Sequence, residues 1–244
     1  MSTRVAMWCG PRTISTAMMR AWENRPDTVV SDEPLYACYL ERTGLAHPGR
    51  EEIIESQSTD YRALTEVLSG PTPDGKSIWY QKHMAHHLLP GMDRSWMEGL
   101  DHCLLIRDPK AVVASYARAR PDVTLADIGI VQQLELARWL RKEGGHTVTV
   151  IDSRDVLEKP AAMLKALCRR LGVPWTEKML HWPAGPRASD GVWAPHWYAS
   201  VERSTGFAPY PHRDVQIDSG LQSIVDESMQ AYRQLHEERL QVGG

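Results

Sequence analysis

Short apolar runs that alternate with longer, helix-patterned segments constrain this chain more than any other feature. Parallel strands need a crossover of about a dozen residues or more, ordinarily a helix, so such alternation reads as βαβ units stacked into a parallel sheet. Five runs read as strands: RVAMWC (4–9), TVVSDEP (28–34), KSIWYQK (76–82), DHCLLIRD (101–108) and TVTVID (147–152). Helical patterns fall at 13–25, where Ala17, Met18 and Trp22 share a face, and at 51–69, 109–120, 124–143, 155–171 and 220–240. A polar insert at 35–50, punctuated by Gly and Pro in RTGLAHPGR, follows the second strand. Residues 181–212 hold many Pro, Gly, Trp and Tyr without a sustained period and read as a long loop packed on the sheet. The expected architecture is a three-layer α/β/α domain over residues 1–244. Its central sheet is mostly parallel, with about five strands, and a C-terminal loop region at 172–218 packs on it.

The 244 residues, 42% of them apolar, suffice for one sizeable core. A formal charge of -3 leaves no global basic field, so extensive nucleic-acid binding is not expected and any anion site must be local. Cys9, Cys38, Cys103 and Cys168 form no CxxC pair, which suits reduced thiols in a cytoplasm. No apolar run approaches the ~20 residues of a membrane span. The N-terminal apolar stretch, broken by Gly10 and Pro11, is too short for a signal-peptide core. A cytoplasmic location without a membrane partner is expected. The final helix packs either on its own domain or on a second subunit of a homodimer.

The stretch MWCGPRTISTAMMR (7–20) joins the first strand to the first helix through a tight turn. That connection leaves the first N–H groups of the helix at the C-terminal edge of the sheet, where anions bind. Ser15 and Thr16 add hydroxyls, and Arg12 can fork two hydrogen bonds to an oxyanion. Against the nucleotide-triphosphate pattern GxxxxGK[ST], Gly10 and Thr16 hold the right offset, but Ile14 and Ser15 stand where glycine and lysine belong. Simple helix capping by the hydroxyls is the alternative. A second stretch, LLIRDPKAVVASYARAR, places Arg107 at a strand end and Ser115 about two turns into the next helix.

Together these stretches resemble the sulfotransferases that use 3′-phosphoadenosine 5′-phosphosulfate (PAPS), a family of P-loop NTPase-like fold. PRTIST resembles the family's 5′-phosphosulfate loop, and RDPKAVVASYAR its 3′-phosphate segment. The resemblance implies that Arg12, Thr13, Ile14, Ser15 and Thr16 hold the 5′-phosphosulfate and that Arg107 and Ser115 hold the 3′-phosphate. Ile14 departs from the family's usual glycine. The implied activity is transfer of a sulfuryl group from PAPS, as co-substrate, to a hydroxyl or amine of a small-molecule acceptor, without a metal. The late loop offers Trp193, Trp197, Arg187 and Arg203 for stacking and charge, with an aromatic core patch as the competing reading.

Two candidates for the base stand at strand ends. Glu33 in SDEPLY resembles the Glu-Pro placement of bacterial and carbohydrate sulfotransferases, and its alternative is a helix-capping acid beside Pro34. His83 in YQKHMAHH resembles the Lys-x-His region of the cytosolic enzymes, one residue out of step because Lys82 directly precedes it. Glu33 is preferred, with Lys82 and His83 as electrostatic partners at the sulfate. His83, His86 and His87 share a face if helical, but they lack the HExxH form and a nearby cysteine, so no metal is assigned. Two rival functions remain: a P-loop-type small-metabolite kinase, and a non-catalytic nucleotide-binding module.

Overall fold

The computed structural model describes residues 2–120, 122–212 and 215–243, so residues 213 and 214 of the 172–218 region lie outside it. Five strands, β1 (Thr3–Cys9), β2 (Thr28–Asp32), β3 (Ile78–Met84), β4 (Asp101–Ile106) and β5 (Val148–Asp152), form one sheet. Its order is β2-β3-β1-β4-β5 and every pairing is parallel. The helices are α1 (Ser15–Glu23), α2 (Tyr36–Thr43), α3 (Arg50–Ser56), α4 (Tyr61–Ser69), α5 (Pro109–Ala117), α6 (Leu125–Ile128), α7 (Ile130–Lys142), α8 (Ser153–Glu158), α9 (Pro160–Arg170), α10 (Ala194–Trp197), α11 (Ala199–Glu202) and α12 (Gln222–Glu237). Among the described residues no helix is long and apolar enough to cross a membrane.

Period-two alternation splits the strands between two cores. Val5, Met7 and Cys9 face α1 and α9, packing with Met18, Trp22, Leu164 and Leu167. Ala6 and Trp8 face the opposite way, into a core built with Val112, Leu134, Ala137 and Leu235. The outcome is the expected three-layer sandwich. A third cluster joins Tyr36, Tyr39 and Leu40 of α2 to Trp193 and Tyr198 of the late segment.

Departures from the sequence reading have local causes. The third strand ends two residues later than expected, so His83 lies within it beside Lys82, and the two pair with Trp8 and Met7. The 35–50 insert contains α2, ended by Gly44 in the left-handed conformation. The helix expected at 51–69 is two: Asp60 accepts from Arg62 N–H and Ala63 N–H and so restarts the chain as α4. The helix expected at 124–143 breaks at Gly129, whose φ of 76° stops α6. The break brings the α6–α7 corner against the loop after β1, where a Cβ on Gly10 would lie 2.4 Å from the Ile128 carbonyl oxygen. The late loop holds regular structure that its composition did not signal, with α10 and α11 inside it and a bridge between His181 and Gly206.

Candidate active site

The strand register aligns the C-terminal ends of the sheet along one edge, with Cys9 beside Met84, Asp32 beside Lys82 and Ile106 beside Asp152. A cleft of about 530 Å³ opens there. Because β1 is central, its loop forms the floor of the cleft. Residues at and after the ends of β2 and β3 line it together with Tyr198 of the late loop, and Arg107 after β4, Tyr116 of α5 and Leu157 of α8 line it as well.

The loop ends in α1, whose ladder begins with the bond from Met18 N–H to the Ile14 carbonyl. No side chain caps the N-terminus of this helix. The N–H groups of its first turn therefore keep the positive end of the helix open towards the cleft. Arg12 sits at a φ of 57°, while Ile14 sits at −91° and needs no glycine. The isoleucine instead packs against the core beneath α1. Thr13 turns its hydroxyl back to the Gly10 carbonyl at 3.1 Å, and Ser15, largely buried, lines the cleft with Thr16.

The two sequence motifs meet at Arg12. Arg107 donates from Nη1 to the Arg12 carbonyl at 2.5 Å, and Arg12 donates from Nε to Ser115 Oγ at 3.0 Å. Burial and the neighbouring Arg118 both push the Arg12 guanidinium below its usual pKa. Two cations crowded beside an open helix N-terminus favour a bound anion. Arg118 was missed in the sequence because nothing in YARAR distinguishes one arginine from the next.

On the β2–β3 side, Lys82 is 1% exposed and its ammonium has three protein partners: Asp32 Oδ1 and Glu33 Oε1, both at 2.8 Å, and the Tyr198 hydroxyl at 2.6 Å. Asp32 also accepts from Tyr198 Oη and from Gly191 N–H. Glu33 lines the cleft at a φ of 42°. Burial pushes its carboxyl above the usual range and Asp32 adds to this, while Lys82 pulls it back. The Lys82 ammonium stays charged because Asp32, Glu33 and Tyr198 together outweigh the cost of burying it. Arg12 and Glu33 are two of the three non-glycine residues with positive φ among those described, a strain of ~1–3 kcal/mol each that typically gathers at ligand sites.

His83 is placed elsewhere. Strand alternation turns it onto the Trp8 face, where its ring stacks on Trp8 at 4.4 Å and its Nε2 meets Gln81 Oε1 at 3.1 Å. It is 1% exposed, is absent from the cleft wall, and burial drives its pKa down to about 3. The three histidines of HMAHH accordingly share no face. His86 and His87 do line the cleft, with ring centroids 4.6 Å apart, and among the described residues no group of His, Cys, Asp and Glu is placed to hold a metal.

Three further wall residues were not singled out in the sequence: Tyr36, His47 and Tyr198. Tyr36 meets His47 Nδ1 at 2.7 Å, and the His87 ring lies between those of Tyr36 and Tyr39, each 4.6 Å away. WAPHWY divides between the two readings given to it: Trp193 is core, 1% exposed, and Trp197 faces the cleft. Arg187 and Arg203 lie outside that wall.

An all-parallel sheet with an uncapped helix N-terminus and converging arginines at its C-terminal edge defines a P-loop-like α/β fold with room for an anion at that edge. The chain belongs to the sulfotransferase-domain family, whose model matches residues 3–235. Solved structures with a similar fold include the sulfotransferase domain of the curacin biosynthetic pathway, at 15% identity and a TM-score of 0.54, covering 98% of this chain and 99% of that one. A sulfotransferase from Alicyclobacillus acidocaldarius matches at 14% identity and a TM-score of 0.54, covering 98% of each chain. Two curated relatives from Arabidopsis thaliana, the branched-chain-amino-acid aminotransferase-like proteins 1 and 2, are 35% and 32% identical over 202 residues, 82% of this chain. The chain spans about a third of the length of those relatives, 36% and 35%.

Proposed function

We propose that the protein transfers a sulfuryl group from PAPS to the hydroxyl of a small acceptor, with Glu33 as base. One observation supports this reading: Arg12 is joined both to Arg107 and to Ser115 at the open N-terminus of α1, so the two motifs assigned to the donor's phosphates stand side by side. Arg12 and the first-turn N–H groups, with Thr13, Ser15 and Thr16 beside them, would hold the 5′ end of the donor. Arg107 and Ser115 would hold the 3′-phosphate, and the adenosine would lie towards Leu157 and Phe207. PAPS supplies the sulfuryl group, which passes to the acceptor oxygen as its bond to the 5′-phosphate breaks and the electron pair stays on the phosphate.

The two carboxylates divide the remaining work. Asp32 is saturated by Lys82, Tyr198 and Gly191, whereas Glu33 accepts from Lys82 on Oε1 with the Tyr198 hydroxyl beside it, and among the described residues its Oε2 has no comparable set of donors. Glu33 therefore keeps an oxygen for the acceptor proton, and a carboxyl raised by burial is suited to taking it. The acceptor would occupy the β2–β3 side against Tyr36, His47, His86 and His87. Burial holds His47 and His86 at about 4 and His87 well below its usual value, so these rings are neutral near pH 7. With two carboxylates facing one ammonium below, this side favours an acceptor without negative charge.

The test is release of radioactive sulfate from labelled PAPS onto a panel of uncharged hydroxyl compounds. Glu33→Gln should lower transfer at least ~100-fold while retaining nucleotide binding, and His83→Gln should stay within about tenfold of wild type. The opposite ranking would assign the base to His83.

A further inference from the structure

We propose that Tyr198, delivered by the late segment 187–198, is a positioning residue for Glu33, acting through Lys82 and Asp32. The inference rests on the assignment of Glu33 as base. An ammonium has three N–H bonds to give. Those of Lys82 go to Asp32, Glu33 and Tyr198, which leaves none for a ligand unless a partner lets go. Lys82 thus acts by holding Glu33, and what holds Lys82 decides where the base stands.

Tyr198 is suited to that work because its hydroxyl is saturated. It donates to Asp32, 2.8 Å from Oδ2, and accepts from Lys82 Nζ at 2.6 Å and from Trp193 Nε1 at 3.0 Å. The Lys82 ammonium also lies 4.8 Å from the centre of the Tyr198 ring. The segment carrying Tyr198 is fixed at its other end to α1. Asp190 Oδ2 accepts from Arg20 Nη2 at 2.6 Å and from Arg187 N–H at 2.8 Å, and Ser189 donates to Glu23. Gly191 N–H then binds Asp32. A continuous set of hydrogen bonds therefore runs from α1, whose N-terminus frames the anion site, through 189–191 to Asp32, Tyr198, Lys82 and Glu33. Seating of the late segment and the setting of the base are one structural event.

The groups facing Glu33 are Lys82 from β3, Asp32 from β2, Tyr198 from the late segment, Tyr36 from α2 and Cys9 from β1, and Lys82 in turn acts on His87. Lys82 and Tyr198 favour the carboxylate, so loss of the Tyr198 hydroxyl raises the pH at which Glu33 ionises. The experiment is calorimetric titration with 3′-phosphoadenosine 5′-phosphate from about pH 5 to 9, on wild type, Glu33→Gln, Tyr198→Phe and Asp190→Asn. Ionised Glu33 repels the bound phosphates, so affinity falls with rising pH through a step that Glu33→Gln removes. Tyr198→Phe is expected to move that step up by about one pH unit. Asp190→Asn, which loosens the anchor on α1, is expected to move it the same way by less and carries the test if Tyr198→Phe fails to fold. A step left in place, or a uniform loss of affinity at every pH, overturns the proposal. Absence of binding to the wild type removes the nucleotide site and this inference with it, whereas binding with an unmoved step removes this inference alone.

Discussion

Lys82 shows how one residue ties stability to the site. Its ammonium is buried with Asp32 at 2% side-chain exposure and Glu33 at 11%. Removing one member of a buried ionic cluster leaves the others without compensation, at a cost of ~3–5 kcal/mol. Lys82→Met is therefore expected to lose about that much in urea unfolding, and a loss under ~1 kcal/mol would mean that the cluster is not closed as described. Ile14 gives the contrasting case. Its φ of −91° imposes no need for glycine, and its side chain packs on the core under α1. Restoring the family's glycine by Ile14→Gly should thus destabilise by ~1 kcal/mol or more, measured by the same unfolding titration.

At the scale of elements, the corner between α6 and α7 fixes the loop after β1. Gly10 lies so close to Ile128 that a Cβ would sit 2.4 Å from its carbonyl oxygen, and Gly129 holds a φ of 76° opposite it. Gly10→Ala is expected to displace the loop and weaken nucleotide binding at least ~10-fold, together with a lower unfolding midpoint. Unchanged affinity would show that the corner does not set the loop. The five strands were legible because each holds a run of three or more apolar or β-branched residues, and the α1 and α5 termini because Pro109 and the GPRTIST turn mark them. Helix breaks were harder to read. Asp60 and Gly129 act through capping and a tertiary approach that periodicity alone does not register. Glu33 and Lys82 emerged from their strand-end positions, whereas His83 falls inside β3 because the strand runs two residues past its expected end. Tyr198 and His47 became site residues only through long-range packing.

Across the whole molecule, five buried histidines carry a stability that depends on pH. Desolvation lowers His83 to about 3, His47, His86 and His102 to about 4, and His87 well below its usual value. A depressed histidine stabilises the fold fully above its unfolded pKa of ~6.5 and loses that contribution as pH falls towards its folded value. The melting temperature should accordingly drop steadily between about pH 6.5 and 4, more steeply than carboxylates alone would give. A flat profile down to about pH 5 would show that these rings are not held neutral. The central claim is that the strand order brings two distant motifs into one nucleotide site. Calorimetric titration with 3′-phosphoadenosine 5′-phosphate, set beside Mg²⁺-ATP and beside Arg107→Ala, tests it most directly. Micromolar binding, about −8 kcal/mol, that is lost in Arg107→Ala and absent for ATP is the predicted result. Preference for Mg²⁺-ATP, or binding indifferent to Arg107, would contradict the account.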